Sequence, residues 1–262
     1  MVNVYDLDGK KAGTIEVPQH AVRSDIIGKV VHAAQLSRRQ PYGANVLAGK
    51  RTSAHYHGKR EYRYTMMNKE MSRIPRIHGS VGNLAYTARF APHAVKGRRA
   101  HPPTTQKVWT KKINARERSA ALRYALRAAC NVAAVQNRGH RCTEAPLLFV
   151  DDFERLEHTK AVKVLLEKIF PDELERCRRK TVRAGRGTLR GRRYRTKKGP
   201  LVVVTGACPA ERAVQAIPGI EVCHVDALTV ESLAPGAVAG RLIITTQAGF
   251  SRLQQYIGDH HG

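Results

Sequence analysis

The sequence predicts an α/β fold. A mostly parallel sheet is flanked by helices in three layers, with a long irregular basic extension inserted after the first helix. Three observations predict it. Four short apolar runs, PLLFV, LVVVTG, IEVCHV and RLIITT, alternate with helical segments, the pattern of strands buried on both faces. Hydrophobic periodicity vanishes between the first helix and the second, from Arg39 to about Pro103. Positive charge collects in that gap and in one later stretch rather than spreading evenly.

Taken in order, VNVYD and GTIEV alternate around Asp8-Gly9, a tight-turn pair, and predict a hairpin. SDIIGKVVHAAQL predicts a helix capped by Ser24, with Ile27, Val30, Val31 and Ala34 on one face. INARERSAALRYALRAACNVAAV predicts the next helix. Asn114 and Glu117 fit a capping box, and Leu122, Ala125, Leu126, Ala129 and Val132 share a face. TKAVKVLLEKIF, PAERAVQAI and FSRLQQYI complete the helical set. The expected organisation is a globular domain made of residues 1–38 and 104–262, an extended loop at 39–103, and a basic strap at 176–199 within the globular part.

A structureless stretch as long as 39–103 is improbable inside a compact domain. It carries Tyr56, Tyr62, Tyr64, Met66, Met67, Ile74, Ile77, Tyr86 and Phe90, which purely disordered tails mostly lack. It therefore reads as an extension that orders on a partner. Folded back as a hairpin, it reaches at most roughly 100 Å at about 3.3 Å per residue.

The formal net charge is +25. Residues 38–112 hold seventeen Lys or Arg against two acids, Glu61 and Glu70, and residues 176–198 hold twelve against none. The other 164 residues hold 17 bases and 19 acids. A near-neutral globule with two segregated cationic segments calls for a polyanion. RGRRYR, KGRRAHPP and KREYRY interleave phosphate-neutralising cations with stacking aromatics, which favours RNA. No clean amphipathic helix suggests a membrane partner.

RAGRGTLRGRRYRTKKG, from Arg183 to Gly199, poses the sharpest choice, because its glycines could cradle a nucleotide's phosphates. A phosphate loop follows a strand and opens a helix. This stretch precedes a strand and lacks both phosphate-loop signatures, and AGKRT at 48–52 ends wrongly for one. Asp151 and Asp152 follow a strand where α/β enzymes place catalytic groups, yet no companion motif accompanies them. Cys208 has no evident base beside it. The alternative function, an α/β enzyme acting on RNA or a nucleotide, would rest on these three residues. His55 and His57, amid Lys and Tyr, read as RNA or solvent contacts rather than metal ligands. His260 and His261 read as part of a frayed tail. Five cysteines without a C-x-x-C pair suggest neither a zinc site nor a disulfide framework, and the reduced cytosol is the expected setting. MVNVYDLDGKK does not resemble a secretory signal, and no apolar run approaches membrane-spanning length. No catalytic residue, metal or cofactor is expected.

The motifs in sequence carry a resemblance. VYDLDG, RSDIIGKVVHAAQLSRRQPYG, AGKRTSA, SRIPRIHGS, FAPHAVKGRRAHPP, INARERSAALRYALRAA, RAGRGTLRGRRYRTKKGPLVVV, IPGIEVCHVDALTVESLAPG and GRLII occur in one order. Together they resemble the large-subunit ribosomal protein L-four family of the archaeal/eukaryotic type, over essentially the whole chain. The resemblance implies a structural protein of the large ribosomal subunit that binds rRNA and supports assembly. Its extension tip, within about Met67 to Phe90, would line the polypeptide exit tunnel beside a second tunnel protein and the nascent chain. Carried onto this sequence, the rRNA contacts would be Arg38, Arg39, Lys50, Arg51, Lys59, Arg60, Arg63, Arg73, Arg76, Arg89, Lys96, Arg98 and Arg99 in the first tract. In the second they would be Arg183, Arg186, Arg190, Arg192, Arg193, Arg195, Lys197 and Lys198. Two departures stand out. The chain stops at YIGDHHG without the long basic tail of eukaryotic members, which suggests an archaeal type. RLIITTQAGFSRL also lacks the acid-bearing TES expected after the last strand.

Overall fold

The computed structural model describes residues 2–17, 20–78 and 82–258. Its chain divides into two compact units, one formed by Met1–Arg38 with Thr110–Gly262 and the other by Arg39–Trp109.

The first unit is built on a six-stranded mixed sheet in the order β2-β1-β3-β8-β6-β7. β1 (Val2–Tyr5) and β2 (Lys11–Ile15) form an antiparallel hairpin, closed at the turn by the Gly9 N–H donating to the Asp6 carbonyl at 3.0 Å. β1, β3 (Leu147–Phe149), β8 (Ile243–Thr246), β6 (Leu201–Val204) and β7 (Glu221–His224) run parallel. The four apolar runs are thus all strands, and the fold is α/β with a mostly parallel sheet flanked by helices.

Strand alternation divides the core between the two faces of the sheet. Val4, Leu148, Leu201, Val203 and Ile243 face one hydrophobic cluster. It is completed by α1 (Ser24–Ser37), α2 (Ala115–Ala129), α7 (Val230–Leu233) and α8 (Gln247–Ile257). Leu147, Phe149, Val202, Val204 and Ile244 face the other. There α3 (Val132–Asn137), α4 (Thr159–Ile169) and α6 (Ala210–Gln215) cover them.

Several local expectations are corrected. Ser24 is the first helical residue of α1, not its cap; Arg23 occupies the cap and its guanidinium pairs with Asp25 at 2.8 Å. Ala33 is the buried small residue of that face, and Ala34 is half-buried. The Asn114 side chain makes no cap bond to α2, and Glu117 instead meets Lys29 at 2.7 Å. The long helix expected through Val135 is two helices. Asn131 breaks it, because its Oδ1 accepts from the Ala133 and Ala134 N–H groups at 3.0 and 3.4 Å and starts α3 afresh. A short α5 (Pro171–Arg178) was not anticipated. Its Pro171 stands at the first turn, where a missing N–H costs nothing.

The Arg39–Trp109 unit has little regular structure. Isolated antiparallel bridges join His55 to Arg76 and Arg76 to Ala88, and a 3-10 turn spans Gly82–Leu84. Gly49 of the AGKRT stretch has φ +73°, and a Cβ there would lie 2.6 Å from the Arg98 Cα. Its glycine serves a close crossing of the chain, not a phosphate loop.

Candidate nucleic-acid interface

RAGRGTLRGRRYRTKKG supplies the loop and the second strand of an antiparallel hairpin, in which β4 (Lys180–Val182) pairs with β5 (Tyr194–Thr196). The sequence carries no signal for these strands, because alternation over three residues is too short. All six strand residues are exposed. The connecting loop is shaped by its own bonds: Arg183 N–H to the Arg193 carbonyl at 2.8 Å, and Thr188 hydroxyl to the Arg183 carbonyl at 2.8 Å. Arg183 also donates from Nε to the Arg192 carbonyl at 3.1 Å. Leu189, in this loop, is 89% exposed.

Two buried polar clusters anchor the hairpin's roots. At the first root, Glu173 is fully buried. Its carboxylate receives Arg176 Nε at 2.8 Å and the Arg141 N–H at 3.0 Å, and lies 2.6 Å from His140 Nδ1. Burial alone would raise this carboxyl, but the hydrogen bonds from Arg176, His140 and Arg141 pull it down to about 2. Arg176 reaches onward from Nη2 to the Lys198 carbonyl at 3.0 Å, so β5's exit is tied to α5. At the second root, fully buried Arg241 donates to the Gly199 carbonyl at 2.9 Å, the Ser232 carbonyl at 2.8 Å and Glu221 Oε2 at 2.7 Å. Gly199 is required there: a Cβ would sit 2.5 Å from Cys177 Sγ and 2.7 Å from the Gly219 carbonyl oxygen.

Beside these roots lies a cleft of about 770 Å³ lined by Arg38, Arg138, Arg176, Arg195, Lys197 and Lys198, and by the acids Glu221 and Glu231. Arg138 lies outside both basic tracts. It donates from Nη2 to the Pro235 carbonyl at 2.7 Å, while its Nη1 is buried without a hydrogen-bond partner among the described residues. Burial, with the positive charges of Arg241 and Arg176, pushes it down to about 10. A lone arginine in a short helix's wake carries no sequence signal; only its neighbours mark it.

Most of the sequence-predicted cations are exposed, with Arg76, Arg89 and Arg98 half-buried. Among the described residues, only Arg38 (with Glu231, 2.6 Å) and Lys198 (with Glu221) of the candidate set are ion-paired. Arg76 and Arg89 spend bonds on the chain itself, Arg76 on the Tyr86 carbonyl at 2.9 Å and Arg89 on the Val95 carbonyl at 2.7 Å. Arg39 stacks 4.1 Å over the Trp109 ring, which lies against Tyr42 at 5.9 Å. Lys59 lies over Tyr62, Arg63 over Tyr64 and Arg193 over Tyr194. Lys50, Arg51, Arg60, Arg73, Lys96, Arg99, Arg186 and Arg190 also lie on the surface.

Of the residues that would serve an enzyme, Asp151 and Asp152 make structural contacts. Asp151 Oδ1 accepts the Ala248 N–H at 3.0 Å in the first turn of α8, and Asp152 pairs with Arg155 at 2.9 Å. Glu154 fills the carboxyl end of the sheet, binding the Thr205 N–H at 3.0 Å and the Thr205 hydroxyl at 2.7 Å. Cys208 is half-buried, and burial raises its thiol pKa. His260 and His261 lie outside the described residues. No helix among the described residues is long and apolar enough to cross a membrane.

The family profile described as "Ribosomal protein L4/L1 family" matches residues 15–256. The chain is 39% identical to "Large ribosomal subunit protein uL4" of Nanoarchaeum equitans over 97% of both chains. It is 38% identical to the protein of that name from Sulfolobus acidocaldarius, covering 97% of this chain and 94% of the relative. It is 40% identical to that of Methanoregula boonei, covering 96% and 98%.

Proposed function

The chain belongs to the ribosomal protein L4/L1 family, and from that premise we propose that its two basic tracts hold large-subunit rRNA. A member of this family is a structural, non-enzymatic constituent of the large ribosomal subunit in the cytoplasm, so rRNA and other ribosomal proteins are its partners.

The observation that carries the rRNA reading is the exposed β4–β5 hairpin, whose arginines have no carboxylate partner among the described residues while its roots are fixed by buried Glu173 and Arg241. A cationic hairpin held at both ends presents charge at fixed positions, where it neutralises phosphates without first being ordered. The cleft at Arg138 suits one phosphate oxygen. An anion there would satisfy the orphaned Nη1 and relieve crowding by Arg176 and Arg241.

The Arg39–Trp109 unit supplies the second rRNA surface, with Lys50, Arg51, Arg60, Arg73, Lys96 and Arg99 toward phosphates. Its stretch within about Met67 to Phe90 is the part we assign to the exit tunnel, near a second tunnel protein and the nascent chain; Gly79, Ser80 and Val81 of it lie outside the described residues. This unit extends into rRNA during subunit assembly, which the protein thereby supports. Binding to a large-subunit rRNA fragment as a function of salt tests the reading. Affinity should fall steeply, by about 0.7–0.9 in logarithmic slope per phosphate neutralised. A flat salt response would sink it.

A further inference from the structure

Three histidines of the Arg39–Trp109 unit converge. His55 bridges Arg76 in antiparallel fashion. Alternation puts His57 on the same face as His55, and His78 on the same face as Arg76, so all three imidazoles emerge together. Ring centroids lie 4.2 Å apart for His55 and His57, 4.1 Å for His55 and His78, and 4.9 Å for His57 and His78. One nitrogen from each ring lies within 4.8 Å of the other two. In a tetrahedral site with metal–nitrogen bonds of about 2.0–2.1 Å, ligand nitrogens are about 3.4 Å apart. Small ring movements close the set.

The protonation pattern suits ligation. His55 Nδ1 lies 3.0 Å from the Ser53 carbonyl, which can only accept. Nδ1 therefore carries the proton and Nε2 is left with a free lone pair, the arrangement in which an outer hydrogen bond orients a metal-bound imidazole. His57 Nε2 and His78 Nδ1 are buried with no hydrogen-bond partner among the described residues. Buried polar atoms are rarely left so without a missing partner.

We propose that His55, His57 and His78 bind one zinc(II) ion through three imidazole nitrogens, with water completing the tetrahedron. The donor set, nitrogen without carboxylate among the described residues, suits a borderline ion rather than magnesium or calcium. Tyr62 meets His57 edge-on at 5.4 Å and Tyr64 lies 4.8 Å from His78, walling the cluster. The unit needs such a staple. Its buried apolar side chains, among described residues, are Ala54, Met66, Ile77 and Ala91. Two of these, Ala54 and Ile77, adjoin ligands in sequence, so the ion would cross-link the little core the unit has.

The test is cobalt(II) titration of the full-length chain, freed of RNA and stripped with chelator. One equivalent should produce the intense visible absorption of a tetrahedral site, bleached by one equivalent of zinc. His57→Gln should weaken binding more than tenfold, whereas replacing His260 and His261 by Gln should leave it unchanged. His55→Cys should keep one equivalent bound and add sulfur-to-cobalt charge-transfer absorption absent from the parent chain. That gain of signal does not depend on a variant losing anything. Weak octahedral absorption, indifference to His57→Gln, loss with the His260/His261 replacement, or no new band in His55→Cys would each overturn the proposal.

Discussion

The guanidinium of Arg241, fully buried, donates to the carbonyl of Gly199 at 2.9 Å, where the basic hairpin returns to the sheet. The same side chain holds Glu221 and the Ser232 carbonyl. A buried cation thereby sets where the exposed cations stand.

Arg241→Met keeps the aliphatic stem but leaves these acceptors without their donor. We expect a loss of about 3 kcal/mol, the scale of breaking a buried charge network. Urea unfolding measures it, and a change under about 1 kcal/mol would show that water replaces the guanidinium.

Glu173 sets an acid limit. Its pKa falls from an ordinary 4.5 to about 2 in the folded chain. A lowered folded-state pKa contributes stability that is complete above pH 4.5 and is lost as pH falls toward 2. Glu173→Gln should flatten the pH dependence of the melting temperature in that window. A wild-type slope in the variant would assign the acid sensitivity elsewhere.

Arg138→Ala should weaken binding to an rRNA fragment by about 1–2 kcal/mol and reduce the logarithmic salt slope by roughly one. Arg155→Ala, on an ion-paired surface turn of the globular unit, is the control and should change neither. Equal slopes for Arg138→Ala and the parent would remove Arg138 from the interface.

Deleting residues 45–100 should leave the sheet and its two core clusters folded, since those clusters draw only on residues before 39 and after 109. The shortened chain should unfold cooperatively yet fail to support subunit assembly. Loss of cooperative unfolding would show that the core depends on the removed segment.

The fold was legible where its cause is local. PLLFV, LVVV, IEVCH and LIITT are strands because continuous apolar runs of that length suit a sheet covered on both faces. Cap assignments fared worse. Ser24 and Asn114 have suitable side chains, but Asn131 is the asparagine whose side chain caps a helix. A cap depends on where the preceding turn points, which residue type does not encode. The candidate interface was legible as composition, since long tracts without acids stand out in any charge count. Arg138 and the His78 partner of His55 and His57 were not, because each is an isolated residue made significant by neighbours distant in sequence.

By itself, then, the sequence determined the α/β class, the chain's family, and which segments carry excess positive charge, all properties of order and periodicity along the chain. Tertiary structure alone decided that Lys180–Lys198 forms a hairpin held by Glu173 and Arg241, that Asp151 and Glu154 accept hydrogen bonds from backbone N–H groups distant in sequence, and that three imidazoles meet. The reason is loop closure. Hydrogen bonds and ion pairs act over about 3 Å, and only the folded backbone brings groups tens or hundreds of residues apart within that reach.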